Sequence, residues 1–179
     1  MIHQKNPNVR KRNIIFAAID YYTIIQPKRA IYYMDPKKPY GEKQMQFDKQ
    51  YLRMANIWAQ NSYCKRRKVG ALIVKDRMII SDGYNGTPIG FENVCEDDSG
   101  KTKPYVLHAE ANAITKVAKT NQSSLGATLY ITSSPCMECA KLIIQAGISR
   151  VVYNEKYRNE DGILLLQRAN IETEYLESE

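Results

Sequence analysis

The sequence predicts an α/β domain over residues 47–179: three α/β/α layers with a mixed central sheet. Residues 69–80 form two β-type runs on either side of a tight Asp76-Arg77 turn. Beyond that hairpin, strand patterns alternate with helical ones to the end of the chain, as in layered α/β domains. A hairpin followed by helical crossovers gives a sheet with both antiparallel and parallel pairs.

The elements follow in order. Phe47, Tyr51, Met54, Ala55 and Trp58 recur at i, i+4, i+7, i+8 and i+11, one face of a helix. Val69-Gly-Ala-Leu-Ile-Val74 and Met78-Ile-Ile80 are the hairpin strands. Gly83, Gly86, Pro88 and Gly90 mark a loop that runs to about Pro104. Residues 108–119 are Ala-rich and helical, and residues 127–132 form a strand. Ser134-Pro135 opens the next helix, with Pro135 at N1, Ser133 or Ser134 as cap and Gly147 as terminator. Residues 150–153 are a strand, 161–169 a helix and 171–176 a last strand.

Residues 1–46 lack a clean period and carry Pro7, Pro27, Pro36 and Pro39. They read as an appendage with one short helix or strand near residues 14–25. They hold nine Lys or Arg against three Asp or Glu, a net of +6, which leaves +1 for residues 47–179. The overall +7 therefore belongs to the appendage, and the folded part lacks the basic balance of a nucleic-acid binder. The apolar stretch at residues 14–25 is too short to span a bilayer and contains Asp20, and no secretory signal opens the chain. The expected compartment is a reducing cytoplasm, where cysteine pairs more often bind metal than form disulfides.

Ser134-Pro-Cys-Met-Glu-Cys-Ala-Lys141 holds two cysteines at i and i+3, a spacing that serves redox chemistry or a metal site. Redox pairs usually follow the first strand of a βαβ unit; this pair comes late. The chain has two histidines, His3 in the appendage and His108 in His108-Ala-Glu110. His108 is thus the expected third ligand beside Cys136 and Cys139. Both Cys136 and His108 sit at expected helix starts, where the positive dipole end favours thiolate. Three protein ligands leave the fourth position of a tetrahedral Zn²⁺ open, as in catalytic sites. Glu110, near the metal but not needed as a ligand, is placed for proton transfer. HxE followed after 25 residues by PCxxC is the zinc-deaminase signature.

With these motifs in hand, the chain resembles the deoxycytidylate (dCMP) deaminases, in their bacterial form, from about Phe47 to about Leu176. Cys64-Lys-Arg-Arg-Lys-Val-Gly-Ala71, Gly83-Tyr-Asn-Gly-Thr-Pro88, His108-Ala-Glu-Ala-Asn-Ala113, the SPCMECA stretch and Arg150-Val-Val-Tyr153 carry the likeness. The resemblance implies zinc-dependent hydrolysis of dCMP to dUMP and ammonia, feeding thymidylate synthesis. It implies that Asn85 bonds the deoxyribose, that Val69, Gly70, Ala71 and Ala109 shape the base pocket, and that Ser134 borders the base. Lys119 and Tyr157 fall where relatives hold the 5′-phosphate, and the 65–68 basic run is either a phosphate or effector contact or a solvated face. The resemblance further implies a homo-oligomer, often a hexamer, and control by dCTP and dTTP. Cys64 aligns with a ligand of a second zinc site found in some members, but Val94 and Val106 replace two others; Cys64 and Cys95 are expected as reduced thiols. A tRNA adenosine deaminase shares HAE and PCxxC, and a DNA-uptake accessory protein with a vestigial deaminase fold is a more distant alternative.

Overall fold

A computed structural model of the protein describes residues 41–177. The chain divides between Pro39 and Tyr40. The appendage read from the sequence, with its element near residues 14–25 and His3, therefore lies outside the described residues except for 41–46.

The elements are α1 (Glu42–Ala59), β1 (Gly70–Lys75), β2 (Met78–Tyr84), α2 (Ala109–Val117), β3 (Thr128–Ile131), α3 (Met137–Gln145), β4 (Arg150–Tyr153), α4 (Asp161–Arg168) and β5 (Glu172–Tyr175). The sheet runs β2-β1-β3-β4-β5. β1 is antiparallel to both β2 and β3, while β3, β4 and β5 are parallel. Asp76 and Arg77 turn the hairpin with φ of 49° and 64°, the paired positive values of a type I′ turn.

Strand alternation divides the core in two. Ala71, Ile73, Leu129, Ile131, Val151 and Tyr153 face α2, α3 and α4; Leu72, Val74, Tyr130 and Val152 face α1. The face of α1 differs from the expected one. Asp48, Leu52, Ala55 and Ala59 are buried, while Met54 and Trp58 are exposed. A buried ion pair sets this rotation. Asp48 receives two 2.9 Å hydrogen bonds from Arg150 on β4, one of 2.6 Å from the Tyr130 hydroxyl and one of 2.9 Å from Gln44. Counting apolar residues could not register a carboxylate as the inward-facing residue.

The strand directions bring one end of the sheet together: the start of β1, the end of β2, and the ends of β3 and β4. The loops there carry the residues described next, at the carboxyl ends of the parallel strands where open α/β sheets bind ligands. No helix among the described residues is long and apolar enough to cross a membrane.

Candidate active site

His108 is the N-cap of α2 and Cys136 the N-cap of α3, both with extended backbone angles. Neither side chain caps its own helix, so both are free to turn toward each other. Pro135 thus precedes the N-cap instead of filling N1, and neither serine caps the helix. The Ser134 hydroxyl instead accepts the Tyr157 backbone N–H at 2.7 Å, and the buried Ser133 hydroxyl has no hydrogen-bond partner.

Two close approaches set the ligand geometry. Gly83 on β2 lies under α2, where a Cβ would sit 2.2 Å from the Ala109 carbonyl oxygen. Gly162 lies under the loop before α3, where a Cβ would sit 2.1 Å from the Pro135 carbonyl oxygen. Each glycine lets the helix start beside it settle closer than any side chain permits.

The Cys136 and Cys139 sulfurs lie 3.5 Å and 3.4 Å from His108 Nδ1. All three donor atoms fall within 4.8 Å of one another. Ligand–metal lengths of zinc imply N–S edges of about 3.6 Å in a tetrahedron. The set therefore fits zinc by size as well as by donor type. Its proton balance fits too. The Cys139 thiol, hydrogen-bonded to Cys136, pulls the Cys136 thiol down to about 3, with His108 adding to the effect. Cys139 is pushed far up by that same hydrogen bond and by burial. One thiolate forms readily and the second needs a cation beside it. His108 is raised, chiefly by its hydrogen bond to Cys136.

Glu110, in the first turn of α2, is 4 % exposed. Burial pushes its carboxyl up to about 7, against the pull of its backbone hydrogen bond and of His108. A carboxyl that both takes and gives a proton near neutral pH stands beside the three donors.

A cavity of about 360 Å³ opens in front of this group. Val69, Asn85, His108, Ala109, Glu110, Ser134, Cys136 and Tyr157 line it, as read from the sequence. Cys139 is buried beneath them. Gly70 and Ala71 are instead buried within β1, against α1 and the sheet core. Lys119 follows the C-cap of α2, about 16 Å of helix rise from His108, and is not part of the cavity lining. Asn85 spends its amide on the scaffold: its oxygen accepts the Val69 N–H and its nitrogen donates to the Arg67 carbonyl, both at 2.8 Å. The cations at the cavity are Arg66, Arg67 and Arg158. Arg67 pairs with Glu155, and its guanidinium lies 5.9 Å from the Tyr157 ring centre. Arg158 had no sequence signal beyond standing next to Tyr157.

Cys64 and Cys95 form a disulfide and are not the separate thiols expected. The loop after β2 returns across the segment before β1 and sets their Cα atoms 5.0 Å apart, within reach of a cross-link. Glu96, next in the chain, accepts the Lys65 and Arg66 backbone N–H groups at 2.9 Å and 3.1 Å.

A three-layer domain that gathers two helix starts, three donors able to hold a metal ion and a buried carboxyl at one cavity has the construction of a metal-dependent deaminase. Residues 45–155 match the family model of the cytidine and deoxycytidylate deaminase zinc-binding region, and the chain belongs to that family. It is 40% identical over 121 residues to the deoxycytidylate deaminase of Mycobacterium phage D29, covering 60% of this chain and 93% of that one. The human deoxycytidylate deaminase is 36% identical over 126 residues, covering 65% of this chain and 70% of that one. Among solved structures, the dCMP deaminase of cyanophage S-TIM5 in complex with dCMP and dUMP superposes with a TM-score of 0.72 at 44% identity, over 77% of this chain and 100% of that one.

Proposed function

We propose that the protein catalyses the zinc-dependent hydrolytic deamination of dCMP to dUMP and ammonia. The observation that carries this reading is a cavity lined by Glu110, His108, Cys136 and three arginines, with Cys139 completing the donor group beneath the lining. The relatives named deoxycytidylate deaminase support the same substrate.

His108, Cys136 and Cys139 would hold one Zn²⁺ per chain. When bound, it would polarise and acidify a water at the position the three protein ligands leave open. Glu110 takes the proton of the attacking water and delivers it to N3 of cytosine as the oxygen bonds to C4. Glu110 then passes the second proton to the amine, the C4–N bond breaks, and ammonia leaves with the C4 carbonyl of dUMP formed. Val69 and Ala109 pack the base, and Ser134 borders it. Asn85 reaches the deoxyribose with the amide hydrogen and lone pair its scaffold bonds leave over. Arg66, Arg67, Arg158 and Tyr157 receive the 5′-phosphate; their place on the cavity lining, which Lys119 lacks, supports this reading. Guanidinium forks suit a phosphate better than a lysine does.

Family likeness supports, within the same proposal, a homo-oligomer, dCTP and dTTP control, and residence in the cytoplasm. The test is ammonia release from dCMP, dCTP, deoxycytidine, CMP and an anticodon stem-loop, each with and without dCTP as effector. dCMP turning over with the highest kcat/KM supports the reading; release from the stem-loop alone overturns it.

A further inference from the structure

Cys64 and Cys95 stand outside the chemistry above, yet they border it. Cys64 lines the cavity, and both residues are buried. Cys64 belongs to the segment between α1 and β1 that carries Arg66 and Arg67. That segment is fixed from two sides. On one side, Asn85 holds Val69 and Arg67, and its own carbonyl accepts the Ser62 hydroxyl at 2.7 Å. On the other side, the far part of the loop after β2 is fastened to it by the Cys64–Cys95 bond, by the adjoining Glu96 carboxylate and by the Thr102 hydroxyl, which accepts from the Arg66 guanidinium at 3.2 Å. Cys64 stands two residues before Arg66 and three before Arg67 in the chain and shares the cavity lining with both.

We propose that the Cys64–Cys95 pair is a redox latch on the nucleotide-phosphate end of the cavity, closed when oxidised and relaxed when reduced. The inference rests on the phosphate role given to Arg66 and Arg67. Closure is thiol–disulfide exchange with a low-molecular-weight disulfide. The Cys64 and Cys95 S–H bonds are lost and one S–S bond forms between them. The two electrons and two protons pass to the small disulfide, which leaves as two thiols. Opening is the reverse reaction with a low-molecular-weight thiol, entering by the cavity that Cys64 lines. In the open state hydrogen bonds alone, those of Glu96 and of Thr102, hold the 64–67 segment to the far part of the loop after β2, and the arginine forks lose part of their fixed aim. A phosphate-bearing ligand then binds more weakly, while the Glu110 chemistry on α2 is retained.

The experiment uses zinc-loaded full-length protein equilibrated in oxidised or reduced glutathione. The Cys64–Cys95 linkage is followed by mass spectrometry, zinc content is measured in each state, and dCMP affinity is measured by calorimetry beside ammonia release. Reduction is expected to weaken dCMP binding by about tenfold, the equivalent of one lost charge-assisted contact, with zinc content unchanged. The Cys64→Ser, Cys95→Ser double variant is expected to bind as the reduced protein does in both buffers. Equal dCMP affinity in the two states overturns the latch, and so does a redox response that persists in the double variant, which would assign it to Cys136 and Cys139. Because the wild-type comparison needs no substitution, a double variant that fails to fold does not remove the test. Redox-dependent affinity without ammonia release supports the latch and counts against the deaminase reading alone.

Discussion

Glu110 stays protonated into the neutral range in the metal-free protein because burial disfavours its charge. Its ordinary value is 4.5 and its folded value about 7. Between them the folded state holds more protons than the unfolded one, so stability falls as pH rises through that window. The shift corresponds to about 3 kcal/mol. Metal-free Glu110→Gln is therefore expected to match metal-free wild type below pH 4.5 and to exceed it by about that amount above pH 7.5. Urea unfolding at both pH values measures this, and an equal difference at both contradicts it. In the zinc-loaded state the same substitution is expected to keep the metal and to lower kcat by about 10²-fold or more, the usual contribution of a general acid–base group. Cys139→Ala is expected to lose metal and stability together, since ligand loss removes binding free energy from the fold. One zinc per chain after exhaustive dialysis of that variant would refute its place in the donor set.

Among the elements, the approach of α2 to β2 decides where His108 and Glu110 stand. Gly83→Ala forces its Cβ against the Ala109 carbonyl and the Ala113 nitrogen, both backbone atoms that cannot rotate away. Overpacking of this kind costs about 1–3 kcal/mol, and here the displaced element carries the proposed ligand His108 and the proposed proton carrier Glu110. Activity is expected to fall by more than stability alone explains, measured as zinc-saturated kcat well below the melting transition. The elements themselves were largely readable. β4 spans the expected 150–153, and Gly147 ends α3 with a φ of 69°. HxE and PCxxC pointed to the three donors that the fold brings together, because few residue types bind zinc and the described residues hold a single histidine. The burial of Gly70 and Ala71 was not readable, because a small residue near a pocket and one under a helix look alike in sequence. The 65–68 run was read as a phosphate contact or a solvated face, and only Arg158 was hidden, for a related reason: a loop cation shows no period, and only the fold reveals which loops converge. The disulfide joins cysteines 31 residues apart, a pairing that depends on the return path of the loop after β2.

On the scale of the whole molecule, a charged pair joins α1 to the sheet. Asp48 is fully buried and Arg150 nearly so. Arg150 also bonds Glu172 and Glu174 on β5, so one guanidinium ties α1, β4 and β5 together. Asp48→Ala removes one partner and leaves the other two, and is expected to cost about 3 kcal/mol, the lower end for a broken buried pair. Equilibrium unfolding reads this, and a loss under about 1 kcal/mol would mean the pair is replaceable by packing. The pair lies on the α1 face of the sheet, away from the cavity, so the variant is expected to keep its dCMP kcat where it remains folded. The central claim is tested most directly by following the conversion of dCMP to dUMP with zinc-loaded, metal-stripped and zinc-restored protein. The account predicts turnover in the first, none in the second and recovery in the third. Undiminished conversion by the metal-stripped protein, or none by the zinc-loaded one, would contradict it.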